Sequence, residues 1–140
     1  MIGNNTFCRT VDMLHRAMGV SSLRQAVIAD NLANAEVPNF RRTDVTFEAE
    51  LNRALDTERR RPALELRLTN PGHMTDWETR DYRDVSPRRV LDYVSQTMNN
   101  GSNVDPEEEF NLLLKNQLRY MLLAQSTAYE FGQVNLVLRA

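Results

Sequence analysis

The sequence has a single cysteine, Cys8, two histidines, His15 and His73, and only 7% aromatic residues. One cysteine rules out an intrachain disulfide framework. Cys8, His15 and His73 have no recognisable ligand spacing for zinc, so no metal site is expected. The longest unbroken apolar run, Tyr120 to Ala124, is far short of the roughly 20 residues that span a bilayer, so no direct membrane insertion is expected. There is no surplus of positive charge either. Seventeen Lys and Arg against nineteen Asp and Glu leave a net charge of -2, so no overall field exists to gather nucleic acid. The segment Met1 to Thr10 lacks a basic stretch followed by an apolar one, and cleavage by the general secretory route is not expected.

What remains is a globular composition, 41% hydrophobic and 26% charged over 140 residues, the size of one ordinary domain. With neither disulfide nor metal, stability must come from packing. Two long helical patterns dominate. Phe7, Val11, Leu14, Met18, Ser21, Gln25, Ile28, Leu32 and Ala35 fall alternately four and three residues apart. That spacing is the seam of one long helix from about Thr6 to about Glu36. Pro38 then ends it, because Val37 is pushed out of helical geometry and Pro38 has no N–H to donate.

The second pattern opens at Asn103-Val104-Asp105-Pro106-Glu107-Glu108. Asp105 suits an N-cap, Pro106 the first helical position, and Glu108 has capping-box spacing. Phe110, Leu114, Gln117, Met121, Ala124, Ala128, Phe131, Asn135 and Leu138 repeat the four-three rhythm almost to the end. Leu113, Leu118, Leu122, Leu123, Val134 and Val137 lie off that seam, so the helix is apolar on more than one face.

Between the two, Asp56 to Arg61 is a charged stretch, and Leu64, Leu66 and Leu68 alternate with polar residues as in a half-buried strand. Asn70-Pro71-Gly72 signals a turn, and Asn99 to Asn103 a loop. Trp77, Tyr82, Val85 and Tyr93 are sparse anchors. Val90 to Met98 reads as a short strand or as a helix begun at Ser86-Pro87. The expected fold is mainly α and elongated, with long N- and C-terminal helices paired as a coiled coil and a small irregular or β-containing middle insert. The corresponding segments are 1–38 and 104–140 as assembly helices and 39–103 as the insert.

A helix of about 30 residues is about 45 Å long, whereas a compact chain of this size has a radius of gyration near ~14 Å. Ordering those residues costs on the order of 1 kcal/mol each, and a buried Leu, Phe or Met returns roughly 1.5–3 kcal/mol. With the first seam thinned by Ser21 and Gln25, a lone helix pair is marginal, and head-to-tail contact between subunits would supply the missing neighbours. A third helix within the insert would serve the same need. The helix-packing residues expected to matter are Phe7, Val11, Leu14, Met18 and Ile28 on one helix and Leu114, Met121, Ala124, Ala128, Phe131 and Leu138 on the other.

The segment Asn31-Leu32-Ala33-Asn34-Ala35-Glu36-Val37-Pro38-Asn39-Phe40 resembles the signature that closes the N-terminal helix of bacterial flagellar rod and hook proteins. That signature is usually Asn-Ile-Ala-Asn-Ala, an acidic residue, then Thr-Pro-Gly-Tyr. Val37, Asn39 and Phe40 depart from it. After glycine, asparagine tolerates left-handed backbone angles best, so the turn can survive. Asp44-Val45-Thr46-Phe47-Glu48, Thr69 with His73-Met74, and Asn103-Val104-Asp105 followed by Glu109 resemble the proximal-rod members of that family. Asn100-Gly101-Ser102-Asn103 stands where the family usually has Asp-Gly-Asn.

The resemblance implies a subunit exported through the flagellar type III apparatus without a cleaved signal. It would polymerise in the periplasmic part of the basal body with copies of itself and other rod proteins into a hollow, torque-transmitting shaft. The membrane-ring or export-gate base would be a further partner. It also implies that Asn31, Leu32, Ala33, Asn34, Ala35, Pro38 and Phe40, with Asn103, Val104 and Asp105, fix how the helical layer meets the insert. No catalysis and no cofactor are expected. The competing reading is a soluble coiled-coil adaptor or export chaperone that forms a small closed oligomer. Glu107, Glu108 and Glu109 read as acids favoured by a helix N-terminus. Arg41, Arg42, Arg59, Arg60, Arg61, Arg88 and Arg89 read as a solvated or intersubunit charged face. Cys8, His15 and His73 read as packing or surface residues.

Overall fold

The computed structural model describes residues 6–59, 69–70, 72–73, 80–95 and 99–139. The expected Leu64–Leu66–Leu68 strand, the Arg60 and Arg61 positions and Trp77 lie outside the described residues. Two long helices, α1 (Thr6–Ala33) and α3 (Pro106–Arg139), frame the chain, and a two-stranded sheet of β1 (Thr43–Thr46) and β2 (Arg88–Leu91) lies between them in sequence. A further helix, α2 (Glu48–Arg59), follows β1, and a short 3-10 turn covers Tyr82–Asp84. The fold is mainly α, its two terminal helices packed together.

The chain divides into two units, one made of residues 1–45 and 89–140, the other of residues 46–88. In the first unit α1 and α3 run antiparallel. Phe7 near the start of α1 meets Phe131 near the end of α3 edge to face, with ring centroids 5.8 Å apart. Midway, the Asn116 side-chain amide donates to the Ser21 carbonyl at 2.8 Å, and at the far end the Asn31 amide reaches Glu109. The deepest burial of α1 falls in its second half, at Val20, Ser21, Val27, Ile28 and Asn31. The earlier seam residues Phe7, Val11, Leu14 and Met18 are half-buried.

The second unit gathers Phe47, Ala54, Tyr82 and Val85 into a small core. α2 was not apparent from the sequence, where its end reads as part of a charged stretch. Its apolar face is no wider than Phe47, Leu51, Ala54 and Leu55, a four-three pattern too short to stand out among Glu48, Glu50, Arg53, Asp56 and Glu58. The Thr57 hydroxyl donates to the Ala54 carbonyl at 2.7 Å and accepts from the Arg80 N–H at 3.2 Å, tying the last turn of α2 to the approach of the 3-10 turn. Asp81 caps that turn by accepting from Arg83 N–H at 2.9 Å.

Of the segment Val90 to Met98, only Val90 and Leu91 lie in a strand, which begins at Arg88; residues 92–95 leave it, and residues 96–98 lie outside the described residues. Asp92 stops the strand. Its carboxylate accepts from the N–H groups of Val94 and Ser95 at 2.8 and 3.1 Å and from the Ser95 hydroxyl, which curls the chain out of the strand. Asp92 N–H donates to the Arg42 carbonyl at 2.8 Å, where β1 begins and β2 finishes, so the strands are antiparallel.

Candidate functional site

The junction residues converge where α1 ends and α3 begins. Asn31 is 1% exposed, and its amide spans both polar groups of one residue of β1: Nδ2 donates to the Thr43 carbonyl at 2.8 Å and Oδ1 accepts from Thr43 N–H at 3.0 Å. One side chain thus pairs with β1 as a neighbouring strand would. Asn34 acts locally. Its Nδ2 donates to the Asp30 carbonyl at 2.7 Å, which also accepts from the Asn34 N–H at 3.2 Å, so both groups of Asn34 close on the last turn of the helix. Turns then follow from Val37 N–H to the Asn34 carbonyl and from Phe40 N–H to the Val37 carbonyl. Leu32 and Phe40 are half-buried, Ala35 is buried, and Ala33 and Pro38 are exposed.

Asn39 has a φ of 59°, a left-handed conformation, at the position where the flagellar signature carries glycine. Its N–H donates to the Asn100 carbonyl at 3.1 Å, so the chain leaving α1 is fastened to the chain approaching α3. Gly101 faces it with a φ of 78°, and a Cβ there would lie 2.5 Å from Asn39 Oδ1. Only glycine fits this approach.

Asn103 and Arg42 complete the junction. Asn103 Oδ1 accepts from Arg42 N–H at 2.6 Å, and its Nδ2 donates to the Asp92 carbonyl at 2.9 Å. The Arg42 guanidinium reaches Glu109 Oε1 through Nε at 2.5 Å and Asp92 through Nη1 at 3.5 Å. Glu109 is 0% exposed, and its Oε2 has no hydrogen-bond partner among the described residues. Burial pulls the Arg42 pKa down, but the hydrogen bond and charge of Glu109, aided by Asp44 and Glu108, outweigh it and hold the guanidinium above its ordinary value. The Asp92 carboxylate is lowered to about 2, chiefly by the Ser95 hydroxyl and the Val94 and Ser95 N–H groups, with Arg42 adding to the effect. Val104 is fully buried beside this network in sequence.

Asp105 caps α3. Its Oδ1 accepts from Glu107 N–H at 2.9 Å, and its carbonyl accepts the first helical bond from Glu109. The reciprocal bond of a capping box is absent among the described residues: Glu108 is exposed and makes none. The helix-terminus explanation suits Glu107 and Glu108, which face solvent, but not Glu109, whose carboxylate is taken by Arg42 and Asn31. Arg42 likewise leaves the solvated face to which the sequence assigned it, whereas Arg59, Arg88 and Arg89 are exposed.

The second candidate surface is α3 itself, and here the register differs from the expected one. Leu114, Met121, Ala124, Ala128 and Leu138 are exposed, and Phe131 keeps half its surface exposed although it meets Phe7. The row turned toward α1 lies one residue earlier: Glu109, Leu113, Asn116, Leu123, Thr127, Glu130 and Val134 are buried or half-buried. Polar anchoring sets this register. Asn116 is held by Ser21 and Glu109 by Arg42 and Asn31, so a row with polar members faces inward and the more apolar row faces out.

His15 and His73 are exposed and Cys8 is half-buried. Among the described residues no cluster of His, Cys, Asp and Glu could hold a metal ion, and no helix is long and apolar enough to cross a membrane.

Residues 15–41, which end in the junction, match the family described as Flagella basal body rod protein. The chain is 45% identical to the flagellar basal body rod protein FlgB of Borrelia hermsii and 42% identical to that of Borreliella burgdorferi, over 96% of this chain and 99% of each relative. It is 29% identical to the FlgB protein of Bacillus subtilis over 94% of this chain and 95% of the relative. The helix pair, its polar junction and these full-length similarities agree: the chain belongs to the FlgB family of flagellar basal body rod proteins and is a structural subunit of that rod.

Proposed function

We propose that the chain polymerises with other rod proteins, and with copies of itself, into the proximal part of a hollow shaft that transmits motor torque. The observation that carries this reading is the outer face of α3. Phe110, Leu114, Leu118, Met121 and Leu122 are each more than half exposed in the single chain, apolar side chains three or four residues apart on one side of the helix that a monomer seldom leaves to water. A neighbouring subunit covering it would supply burial that α1 alone does not provide. The junction residues Asn31, Asn34, Asn39, Asn103 and Asp105 would fix how the end of α1 meets the start of α3, so that each subunit presents the same helix-pair face to its neighbours.

The role is mechanical, with no catalysis and no cofactor. The subunit works in the periplasmic part of the basal body, delivered by the flagellar export apparatus, and the lowest subunits rest on the membrane-ring or export-gate base. Residues 1–38 and 104–140 form the assembly layer in this reading, and residues 39–103 the insert.

Hydrogen exchange on the isolated chain and on assembled rod tests the proposal. Backbone amides of residues 118–138 exchange faster in the isolated chain, where ordering has not yet been coupled to association, and become protected in the rod. Equal, strong protection in both states overturns it.

A further inference from the structure

Because α1 and α3 are antiparallel, the first unit carries two dissimilar features at its opposite ends. At one end, an open cavity of about 530 Å³ lies beside the junction, with Val27, Phe40 and Leu91 as its apolar lining and Asp30 and Arg89 as charges of opposite sign. At the other end, α3 closes on Leu136, Val137 and Leu138, between 68% and 77% exposed, followed by Arg139 in the last turn. Phe131 is already opposite Phe7, near the start of α1, so these last turns continue past the described part of that helix. Residues at one end of a helix of 34 residues, about 51 Å long, cannot fold back to the other end.

The two features match in chemistry. The branched aliphatic side chains suit the apolar lining, and the Arg139 guanidinium can pair with the exposed Asp30 carboxylate, on a lining whose other charge is Arg89. Surfaces that are complementary but lie at opposite ends make a heterologous contact, which extends as an open chain of subunits rather than closing as a pair.

We infer that the junction cavity of Val27, Asp30, Phe40, Arg89 and Leu91 is the seat for the last turn of the C-terminal helix of an adjoining rod subunit, a basic and aliphatic helix end like this chain's own. The inference rests on the proposed assembly and adds to it the axial contact. Its register is set by the junction. Asn31 holds Thr43 and Asn34 holds the end of α1, so the cavity wall is fixed before the neighbour arrives.

The test is photo-crosslinking in flagellated cells whose own copy is replaced by a chain carrying a benzophenone amino acid in place of Leu91. Mass spectrometry of purified basal bodies is expected to find the adduct on the C-terminal helical peptide of a rod subunit. Asp30→Arg in the same background is expected to reduce that adduct at least tenfold, with Asp30→Asn between the two. Circular dichroism on each variant checks that helix content is retained, and the adduct's identity decides the matter should Asp30→Arg fail to fold. An adduct on any other segment, or none from basal bodies that contain the chain, overturns the inference while leaving the proposed assembly intact. Absence of the unsubstituted chain from basal bodies overturns the assembly itself.

Discussion

The two halves of α3 obey different rules. From Glu109 to Asn116 the residues that go inside include a carboxylate and an amide, each with partners on other elements. From Leu118 to Leu138 the helix is rich in leucine, yet Leu118, Leu122, Leu136 and Leu138 stay in water. Burial and hydrophobicity have come apart, in opposite senses, within one helix. The first half shows how a polar network can determine which face of a helix is committed within the chain. The second shows what that commitment leaves available for others.

The sharpest way to break the first half is Glu109→Ala. Leaving the half-buried Arg42 with only its longer contact to Asp92 costs about 2–3 kcal/mol, read as a lowered denaturation midpoint, and replacing both Arg42 and Glu109 by apolar residues of similar size recovers most of the loss. A recovery of none of it shows that the pair does more than satisfy its own charges. Next in size, Gly101→Ala forces a Cβ against Asn39 at a left-handed backbone position and costs about 1–3 kcal/mol in the same measurement. A neutral outcome means the fastening of Asn39 to Asn100 yields without consequence.

A smaller effect is set by pH. Asp92 has its pKa lowered from 3.8 to about 2, so its contribution to stability is fully present above about pH 4 and is lost as pH falls through about 2. Unfolding midpoints followed from pH 6 to pH 1.5 should fall less steeply below pH 4 in Asp92→Asn than in the natural chain. The smallest effect on the isolated chain, and the most telling for the contrast, is Leu118→Ser with Leu122→Ser. Both sites are exposed, so the stability of the monomer moves by roughly 0.5 kcal/mol or less at each, while incorporation into rods drops. A large loss of monomer stability places these side chains in the chain's own core and removes the contrast between the halves.

The parts of this fold legible in the sequence are those governed by neighbours along the chain. Asp105 marks the start of α3 because capping chemistry acts within a few residues, whereas α1 ends at Ala33, earlier than the Glu36 expected from Pro38. The register of α3 was not legible. Four-three spacing locates an apolar stripe, but the row that faces α1 was chosen by Asn116, whose partner Ser21 is 95 residues away, and by Glu109, whose partners Arg42 and Asn31 are 67 and 78 away. Glu109 did carry a signal in its place in the family pattern after Asn103-Val104-Asp105, which the helix-terminus explanation for three successive acids obscured. α2 was missed because short amphipathic helices with mostly charged surfaces are stabilised by packing that a local pattern does not display.

The bond from Asn39 to Asn100, with Arg42 bound to Asp92 and Asn103 just inside it, brings the two ends of the intervening sequence side by side. Sequence inserted between those ends lengthens a loop whose mouth is already closed, and each doubling of a flexible loop adds only about 0.6 kcal/mol of closure entropy. The family could therefore enlarge, trim or exchange this cassette without disturbing the helices, and a fluorescent tag placed there has the best prospect of riding on a working rod.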